Sequence, residues 1–200
     1  MTLYVEQTRM IKRFVPYSSA QASSLLMTGE EMASRADLEQ GELIEGVYVE
    51  MMAPSYEHGR IESNIVFLLG MHVRQHKLGH IFSGDAGIYT KQNPDTVRGM
   101  DVAFMSHERY GQISSKTYLD VAPELIVEVM SPSNRWADMH DKLDEYFAIG
   151  VNLVWLVYPK RMHVYVYRAP DDYVRLSAVD TLTGGAILPD FSVPVTELFE

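Results

Sequence analysis

The sequence predicts one α/β domain built around a mixed β-sheet. Its 200 residues are the length of a single domain of ordinary size. A hydrophobic fraction of 46% and a charged fraction of 22% are typical of folded globular proteins, which disfavours a disordered or coiled-coil chain. Short β-rich runs alternate with amphipathic stretches, and this alternation indicates strands and helices packed in layers.

An N-terminal arm is predicted ahead of the domain. Residues 1–24 lack hydrophobic periodicity and an apolar signal segment, so neither a helix nor a secretory signal is expected there. Residues 25–200 are predicted to form the single domain. No run approaches the roughly 18 apolar residues of a membrane span. The chain has no cysteine, which excludes disulfides and thiolate catalysis and fits a cytoplasmic protein.

Three segments have the patterns of helices. Thr28 and Glu31 have the spacing of a capping box, which predicts a short helix at this point. Apolar residues at three- and four-residue steps predict a long helix from about Tyr56 to Lys77, ended by Gly79. The same spacing predicts another helix over about residues 134–149.

β-rich runs bounded by turn residues predict the strands. Glu45 and Gly46 divide the first run into a hairpin, and Pro159 and Lys160 join two later runs in the same way. The predicted strands occupy about residues 41–52, 80–90, 96–106, 123–131, 151–159 and 161–169, followed by a C-terminal segment that docks on the domain.

Two carboxylates interrupt these apolar strands. Asp101 lies in the run RGMDVAFMS and Glu128 lies in the run LIVEVM. A carboxylate in such surroundings is costly unless a cation or hydrogen-bond donors compensate it. If the two strands lie side by side, the acids converge at one edge of the sheet and form an oxygen-ligand site suited to Mg²⁺ or Mn²⁺.

Lys142 lies on the helix that follows the Glu128 strand. Because this helix is expected to cover the sheet, the ammonium is predicted to point toward Glu128 rather than toward Asp138 in solvent. There it would orient a water molecule or stabilise charge on a phosphoryl oxygen. Two oxygen ligands and one cation are what metal-assisted phosphodiester hydrolysis requires.

Structural roles remain open for the same three residues. Asp101 is alternatively a solvent-facing acid at a strand end, and Glu128 is alternatively the buried partner of a structural cation. Lys142 is alternatively a solvated helix lysine that pairs with Asp138 at the i,i+4 spacing.

Four segments resemble, in order, the Uma2 family (DUF820), a branch of the PD-(D/E)XK nuclease superfamily. They are GELIEGVYVEMMAPSYEHGRI, RGMDVAFMS, APELIVEVMSPSNRWADMHDKLDEYFAIGVNLVWLVYP and LPDFSVPVTELF. Each segment is unspecific alone, but the ordered set covers about residues 25–199. The resemblance implies a restriction-endonuclease-like fold, in which helices flank a central mixed β-sheet.

The resemblance also implies a function and a site. It implies a metal-dependent endonuclease that hydrolyses DNA, with Asp101 and Glu128 binding Mg²⁺ or Mn²⁺ and Lys142 as the catalytic lysine. The superfamily's Pro-Asp is Met100-Asp101 here. Met130 stands where the usual E-x-K lysine would be, so the lysine is displaced from the strand to the helix. The family fold, with its exposed strand edges, further suggests a homodimer.

Glu42 and His58 match an acid and a histidine of the same family pattern. Either residue is a candidate outer metal ligand or substrate contact. The alternatives are surface exposure for Glu42 and helix capping for His58.

Several other patterns favour structural interpretations. His72, His76 and His80 recur every four residues, but they lack a glutamate in the HExxH arrangement, so a solvated polar face is favoured over a zinc site. Gly84 and Asp85 indicate a turn or bulge. The aromatic residues of WLVYPKRMHVYVY are interpreted as core and cross-strand residues rather than a base-stacking platform.

The net charge of −10 weighs against nucleic-acid binding through bulk charge. A local basic patch is still available from Arg9, Lys12 and Arg13 in the arm and from Arg74 and Lys77 near the end of the long helix, although an ordinary solvated surface explains them equally well. Two functions are therefore carried forward. One is the DNA endonuclease, and the other is a non-catalytic nuclease-fold module used for protein binding or assembly.

Overall fold

The computed structural model describes residues 26–131 and 134–200. The predicted arm over residues 1–24 therefore lies outside the described residues. The described helices are α1 (Gly29–Ser34), α2 (Tyr56–His76), α3 (His107–Tyr110) and α4 (Trp136–Ala148). The described strands are β1 (Gly41–Ile44), β2 (Val47–Glu50), β3 (Gly79–Lys91), β4 (Thr96–Ser106), β5 (Leu125–Val129), β6 (Leu153–Tyr158), β7 (His163–Ala169), β8 (Asp172–Leu176), β9 (Thr181–Gly184) and β10 (Leu188–Pro194). No helix in these ranges is long and apolar enough to span a membrane.

A mixed sheet of eight strands forms the centre of the fold. Its order is β2-β1-β4-β5-β6-β7-β8, and β3 pairs with the remaining edge of β4. β5 and β6 are parallel, and the other pairs in this sheet are antiparallel. The predicted α/β class with a mixed sheet is confirmed.

Two hydrophobic clusters cover the two faces of the sheet. On one face, α2 packs through Ile61, Ile65, Leu69 and Val73, beside the β9–β10 hairpin and the final turn over residues 195–199. On the other face, α4 packs through Met139, Leu143 and Tyr146. The helices therefore flank the sheet, as in the fold that the resemblance implies.

The predicted helix boundaries are correct except at two ends. Thr28 and Glu31 form the complete capping box of α1. α2 ends at His76, one residue before the predicted end, and the residue that stops it is Lys77 rather than Gly79, because Lys77 adopts a left-handed conformation with φ 54° and closes the last turn. Gly79 instead begins β3, where a Cβ would lie 2.0 Å from the Met105 carbonyl oxygen. α4 begins at Trp136, two residues later than predicted.

β3 contains a bulge that faces the middle of β4. The register shifts between Ser83 and Ala86, and both Gly84 and Asp85 have positive φ, at 74° and 57°. The bulge bends β3 at the level of Asp101, because Val102 pairs with Ser83 and Met100 pairs with Ala86. The expectation of a turn or bulge is correct.

Candidate active site

A gap along one edge of β4 holds the candidate site. β3 covers the other edge, so β1 and β5 must share this one, with β1 pairing at Val97 and β5 from Val102 onward. Within the described ranges, no strand pairs with this edge of β4 at residues 98–101. Side chains satisfy the backbone instead: the Gly99 N–H donates to Glu42 Oε1 at 3.1 Å, and the Gly99 carbonyl accepts from Lys142 Nζ at 3.1 Å.

Glu128 meets two side chains of α4 at this gap. Its Oε1 accepts a hydrogen bond of 2.7 Å from the Tyr146 hydroxyl, and its Oε2 lies 3.3 Å from Lys142 Nζ. Lys142 and Tyr146 are four residues apart and therefore share one face of the helix. Glu128 is only 4% exposed. The helix thus turns Lys142 inward toward Glu128, as expected.

A network of buried charges holds Lys142 from its other side. Lys142 Nζ lies 2.9 Å from Glu42 Oε1, and Arg98 bonds Glu42 Oε2 at 3.0 Å. Arg98 also makes two hydrogen bonds with Glu145, of 2.6 and 2.7 Å. Glu42 is 5% exposed, so the alternative of a surface acid is wrong for this residue.

Asp101 lies within the gap. Its Oδ2 accepts a hydrogen bond of 2.5 Å from the Val129 N–H, and its Oδ1 lies 3.3 Å from His58 Nε2. Strand N–H groups point along the plane of a sheet, so this carboxylate lies between the strands rather than over a face. Asp101 is 6% exposed, and the alternative of a solvent-facing acid is wrong.

Asp101 and Glu128 lie on neighbouring strands, as predicted. The β4–β5 ladder ends at Val102 and Val127, which directly adjoin Asp101 and Glu128. Beyond this point the strands separate, because the Val129 N–H bonds the Asp101 side chain instead of the β4 backbone. His58 approaches the gap from α2, whereas Lys142 approaches from α4.

Burial and neighbouring charges together shift the pKa values at the site. Burial, with a further contribution from Asp101, raises the pKa of Glu128 to about 7, although Lys142 opposes this shift. Burial alone would raise the pKa of Glu42, but Lys142 and Arg98 together hold it below the usual value. Burial would lower the pKa of Lys142, but Glu128 and Glu42 outweigh this effect and raise it. Lys142 is therefore a stable ammonium ion.

The histidine beside Asp101 is also perturbed. The hydrogen bond to Asp101 raises the pKa of His58, although its partial burial opposes the shift. Its Nδ1 is buried, and no hydrogen-bond partner is found for it among the described residues. The backbone of His58 is bonded to the N-cap Ser55, so the residue also lies in the capped first turn of α2.

Four further residues contribute to this region, and the sequence pattern predicts a site role for none of them. Tyr146 fits the apolar face of its helix, Glu62 shares a helix face with His58, Asp85 fits the expected turn or bulge, and Arg98 carries no expectation. Glu62 accepts a hydrogen bond of 2.9 Å from the Gly84 N–H, and Asp85 bonds Gln40. Burial and the nearby Asp101 raise the pKa of both acids. Arg98, a cation inside the apolar run around Asp101, is the sequence feature that could have indicated a buried charge network here.

The donor chemistry of the gap fits a small, hard divalent cation. In the described residues, no group of three or more His, Asp or Glu side chains is arranged to hold a metal ion. Mg²⁺ does not need such a cage, because it keeps several waters and is usually bound through one or two carboxylates. Asp101 and Glu128 supply two carboxylates. Burial, with a further contribution from Asp101, raises the pKa of Glu128, and a bound cation would favour its charged form.

The other sequence candidates lie apart from the gap. His72 and His76 stack on α2 with ring centroids 4.4 Å apart, whereas His80 lies in β3 against Tyr110 at 4.0 Å. The three histidines therefore do not converge. Arg74 and Lys77 are exposed, and Arg9, Lys12 and Arg13 lie outside the described residues.

Removing Arg98 is expected to destabilise the protein strongly. Arg98→Met would leave Glu42 and Glu145 without their shared cation, and breaking such a buried pair costs about 3–5 kcal/mol in the free energy of unfolding. Urea unfolding of Arg98→Met and of Arg35→Met compares this change with loss of the exposed Arg35–Asp37 pair. Equal stability of the two variants would contradict the structural role of Arg98.

Glu128 is expected to make the metal-free protein less stable as the pH rises. Its pKa is about 7 in the folded protein against 4.5 in the unfolded chain, so between these values the folded state binds more protons. The free energy of unfolding therefore falls across this pH window. Glu128→Gln has no proton to lose and should depend less on pH. Urea unfolding with EDTA at pH 5 and pH 8 measures the difference, and parallel pH dependences would contradict it.

Comparisons with known proteins agree with this architecture. The sequence profile of the Uma2 family, described as "Putative restriction endonuclease", matches residues 30–196. The fold is similar to the crystal structure of "a putative nuclease belonging to DUF820" from Anabaena variabilis ATCC 29413. The TM-score is 0.72 at 18% sequence identity, and the match covers 86% of this chain and 97% of that one. The comparison with curated proteins gives no match.

Proposed function

The chain belongs to the Uma2 family, "Putative restriction endonuclease". We propose that it is a divalent-metal-dependent endonuclease that hydrolyses phosphodiester bonds in DNA. The observation that carries the proposal is the contact between Glu128 and Lys142 beside Asp101, in a gap where two strands separate. A buried acid pair with one adjacent ammonium ion supplies what this hydrolysis requires.

Asp101 and Glu128 are proposed to hold the cation, which is Mg²⁺ or Mn²⁺. When bound, the metal supplies Lewis-acid polarisation of a phosphoryl oxygen and activation of water. Tyr146 fixes the orientation of Glu128 by donating to its Oε1. Support for this pairing comes from the burial of both acids on adjacent strands.

Lys142 is proposed to stabilise negative charge on a phosphoryl oxygen as the phosphodiester bond breaks. Its high pKa keeps it charged at neutral pH, so it acts through its positive charge and does not transfer a proton. Glu42 holds the ammonium in place, and Arg98 holds Glu42. Glu42 is therefore a positioning residue in this proposal.

A plasmid assay tests the activity. Purified protein with Mg²⁺ or Mn²⁺ is expected to convert supercoiled plasmid into nicked and linear forms, and EDTA should stop the conversion. Glu108→Gln, which changes an exposed acid on α3, should retain the activity and serves as the control. A protein that binds the metal but leaves the plasmid intact would favour the non-catalytic module.

A homodimer in the cytoplasm completes the proposal. β2 is an edge strand that exposes Val47 and Val49, at 53% and 36%, which is unfavourable for an isolated chain in water. The absence of cysteine is consistent with a reducing compartment. Light scattering coupled to size exclusion should give twice the monomer mass, and the Val47→Lys variant should give the monomer mass. A wild-type monomer at micromolar concentration would contradict the dimer.

A further inference from the structure

Four aromatic side chains form a continuous row on the α4 face of the sheet. The aromatic row consists of Trp136, Tyr158, Tyr165 and Tyr173. The ring centroid of Trp136 lies 5.8 Å from that of Tyr158 and 5.5 Å from that of Tyr165, which in turn lies 5.8 Å from Tyr173. Trp136 and Tyr173 are 39% and 51% exposed, so two of the four rings reach solvent.

Strand alternation accounts for the position of the row. Tyr165 pairs with the buried Leu156 of β6 on one side and with Arg175 of β8 on the other, so all three side chains lie on the face that α4 covers. Trp136 is the first residue of α4, and its ring contacts Tyr165 of β7. β8 is the edge strand of the sheet, and its Tyr173 is the most exposed ring of the row.

Cations border the aromatic row. Arg135 directly precedes Trp136, Lys160 and Arg161 form the turn after Tyr158, and Arg175 lies beside Tyr165. All four are exposed, and none makes an ion pair within the part of the chain that the structure describes. In a chain with a net charge of −10, four such cations are a local reversal of charge.

Most nearby acids point elsewhere. At about 100° per residue, Asp138, Asp141 and Glu145 lie about 140–180° around α4 from Trp136, and Asp144 comes closest at about 80°. In β8, Asp172 alternates with Tyr173 and points to the opposite face of the sheet. The aromatic face is therefore more basic than the chain as a whole.

The aromatic row starts at the C-terminal ends of β5 and β6, close to the candidate active site. β5 and β6 are parallel, and Val129 pairs with Val157, the residue before Tyr158. Val129 is the residue whose N–H bonds Asp101. After β5, Trp136 begins the helix that carries Lys142. A strand of nucleic acid on the row would thus lead around the start of α4 toward the gap.

We propose that the aromatic row binds a single-stranded segment of DNA, whose bases stack on Trp136 and Tyr173 and whose phosphates contact the four flanking cations. This inference rests on the proposed nuclease function, because it assigns the path by which one strand reaches the gap. Cross-strand packing explains the contacts among the rings, but not the exposure of Trp136 and Tyr173 or the four cations around the row. Exposed rings within a basic surface are the means by which proteins bind single strands without reading sequence.

Tryptophan fluorescence gives a direct test. The chain has two tryptophans, and Trp155 is buried in the core at 1% exposure, so quenching by a stacked base reports on Trp136. Oligothymidine is titrated into the wild-type protein in EDTA, where no cleavage occurs. Saturable quenching is expected, and a Trp155→Phe variant should retain it. Absence of quenching, or equal affinity for a duplex of the same length, would overturn the inference.

Matched variants separate base stacking from general charge. Tyr173→Ser should bind oligothymidine about tenfold more weakly, the size expected for the loss of one stacked base. Tyr110→Ser is the control, because Tyr110 is similarly exposed, at 45%, and also stacks on a neighbouring ring, but lies elsewhere on the fold. Equal weakening by both variants would overturn the assignment.

Salt dependence tests the cations independently of the rings. The double variant Lys160→Gln/Arg161→Gln should reduce the slope of log affinity against log salt by about 1.4, since each phosphate contact to a single strand contributes about 0.7. An unchanged slope would contradict the phosphate contacts. Because binding is measured in EDTA, its failure with intact plasmid cleavage would remove this inference alone. Binding without any cleavage would instead remove the nuclease proposal.

Discussion

Asp101→Asn and Glu128→Gln are each expected to abolish metal-dependent DNA cleavage while leaving the protein folded. Each variant removes one of the two carboxylates proposed to hold the cation. Asparagine retains an oxygen that accepts the Val129 N–H, and glutamine retains one that accepts the Tyr146 hydroxyl, so these two hydrogen bonds survive. The contact between Lys142 Nζ and Glu128 Oε2 is lost in Glu128→Gln, and Lys142 keeps its contact with Glu42. We expect the cleavage rate to fall by at least about 10²–10³, the scale for losing a key electrostatic contact in a reaction.

The measurement is the single-turnover rate of plasmid nicking at saturating Mn²⁺. Asp190→Asn, which changes an exposed acid in β10, serves as the control for an Asp-to-Asn change. The metal-free Glu128→Gln protein should be at least as stable as the wild type at pH 8, because the neutral amide avoids both the cost of burying a charged carboxylate and the repulsion from Asp101. Cleavage that persists in both variants would contradict the mechanism and not merely one residue assignment.

Lys142→Met is expected to bind metal and cleave DNA poorly. The ammonium lies 3.3 Å from Glu128 and 2.9 Å from Glu42, and it is the charge proposed to act on the phosphoryl oxygen. Its loss should lower the single-turnover rate by about 10²–10³ at saturating metal. The variant should also unfold at a lower temperature without metal, because two buried carboxylates lose their cation.

Lys142→Arg tests whether cleavage requires the compact ammonium group or only a positive charge at this position. The planar guanidinium is larger and cannot occupy the same position between Glu42 and Glu128, so we expect it to restore stability better than cleavage. Lys116→Met, which removes an exposed lysine, is the control and should leave both properties unchanged. A wild-type cleavage rate in Lys142→Met would eliminate the proposed role of this residue.

The sequence was sufficient to predict the local elements of the fold. The capping box of Thr28, the hairpin turn at Glu45-Gly46 and the stripe of α2 depend on residues within a few positions of each other. Asp101 and Glu128 stood out because acids in apolar strands are costly. That the two strands pair as neighbours was a reasonable expectation for consecutive strands, and the structure confirms this pairing.

The gap itself was not predictable in this way. It exists because β1 and β5, which are about 80 residues apart in the chain, pair with the same edge of β4 and leave residues 98–101 between them. The burial of Glu42 and the position of Arg98 follow from this long-range arrangement. A four-residue strand such as β1 carries no periodic signal strong enough to distinguish a buried acid from an exposed one.

The number of Mn²⁺ ions bound per chain is the most direct test of the central claim that Asp101 and Glu128 hold one divalent cation. Electron paramagnetic resonance of free Mn²⁺ measures this number in the wild type, in Asp101→Asn and in Lys142→Met. We predict one bound ion per chain in the wild type, none in Asp101→Asn and one in Lys142→Met. A wild-type protein that binds no Mn²⁺ at millimolar concentration, or an Asp101→Asn protein that binds it as tightly as the wild type, would contradict the claim.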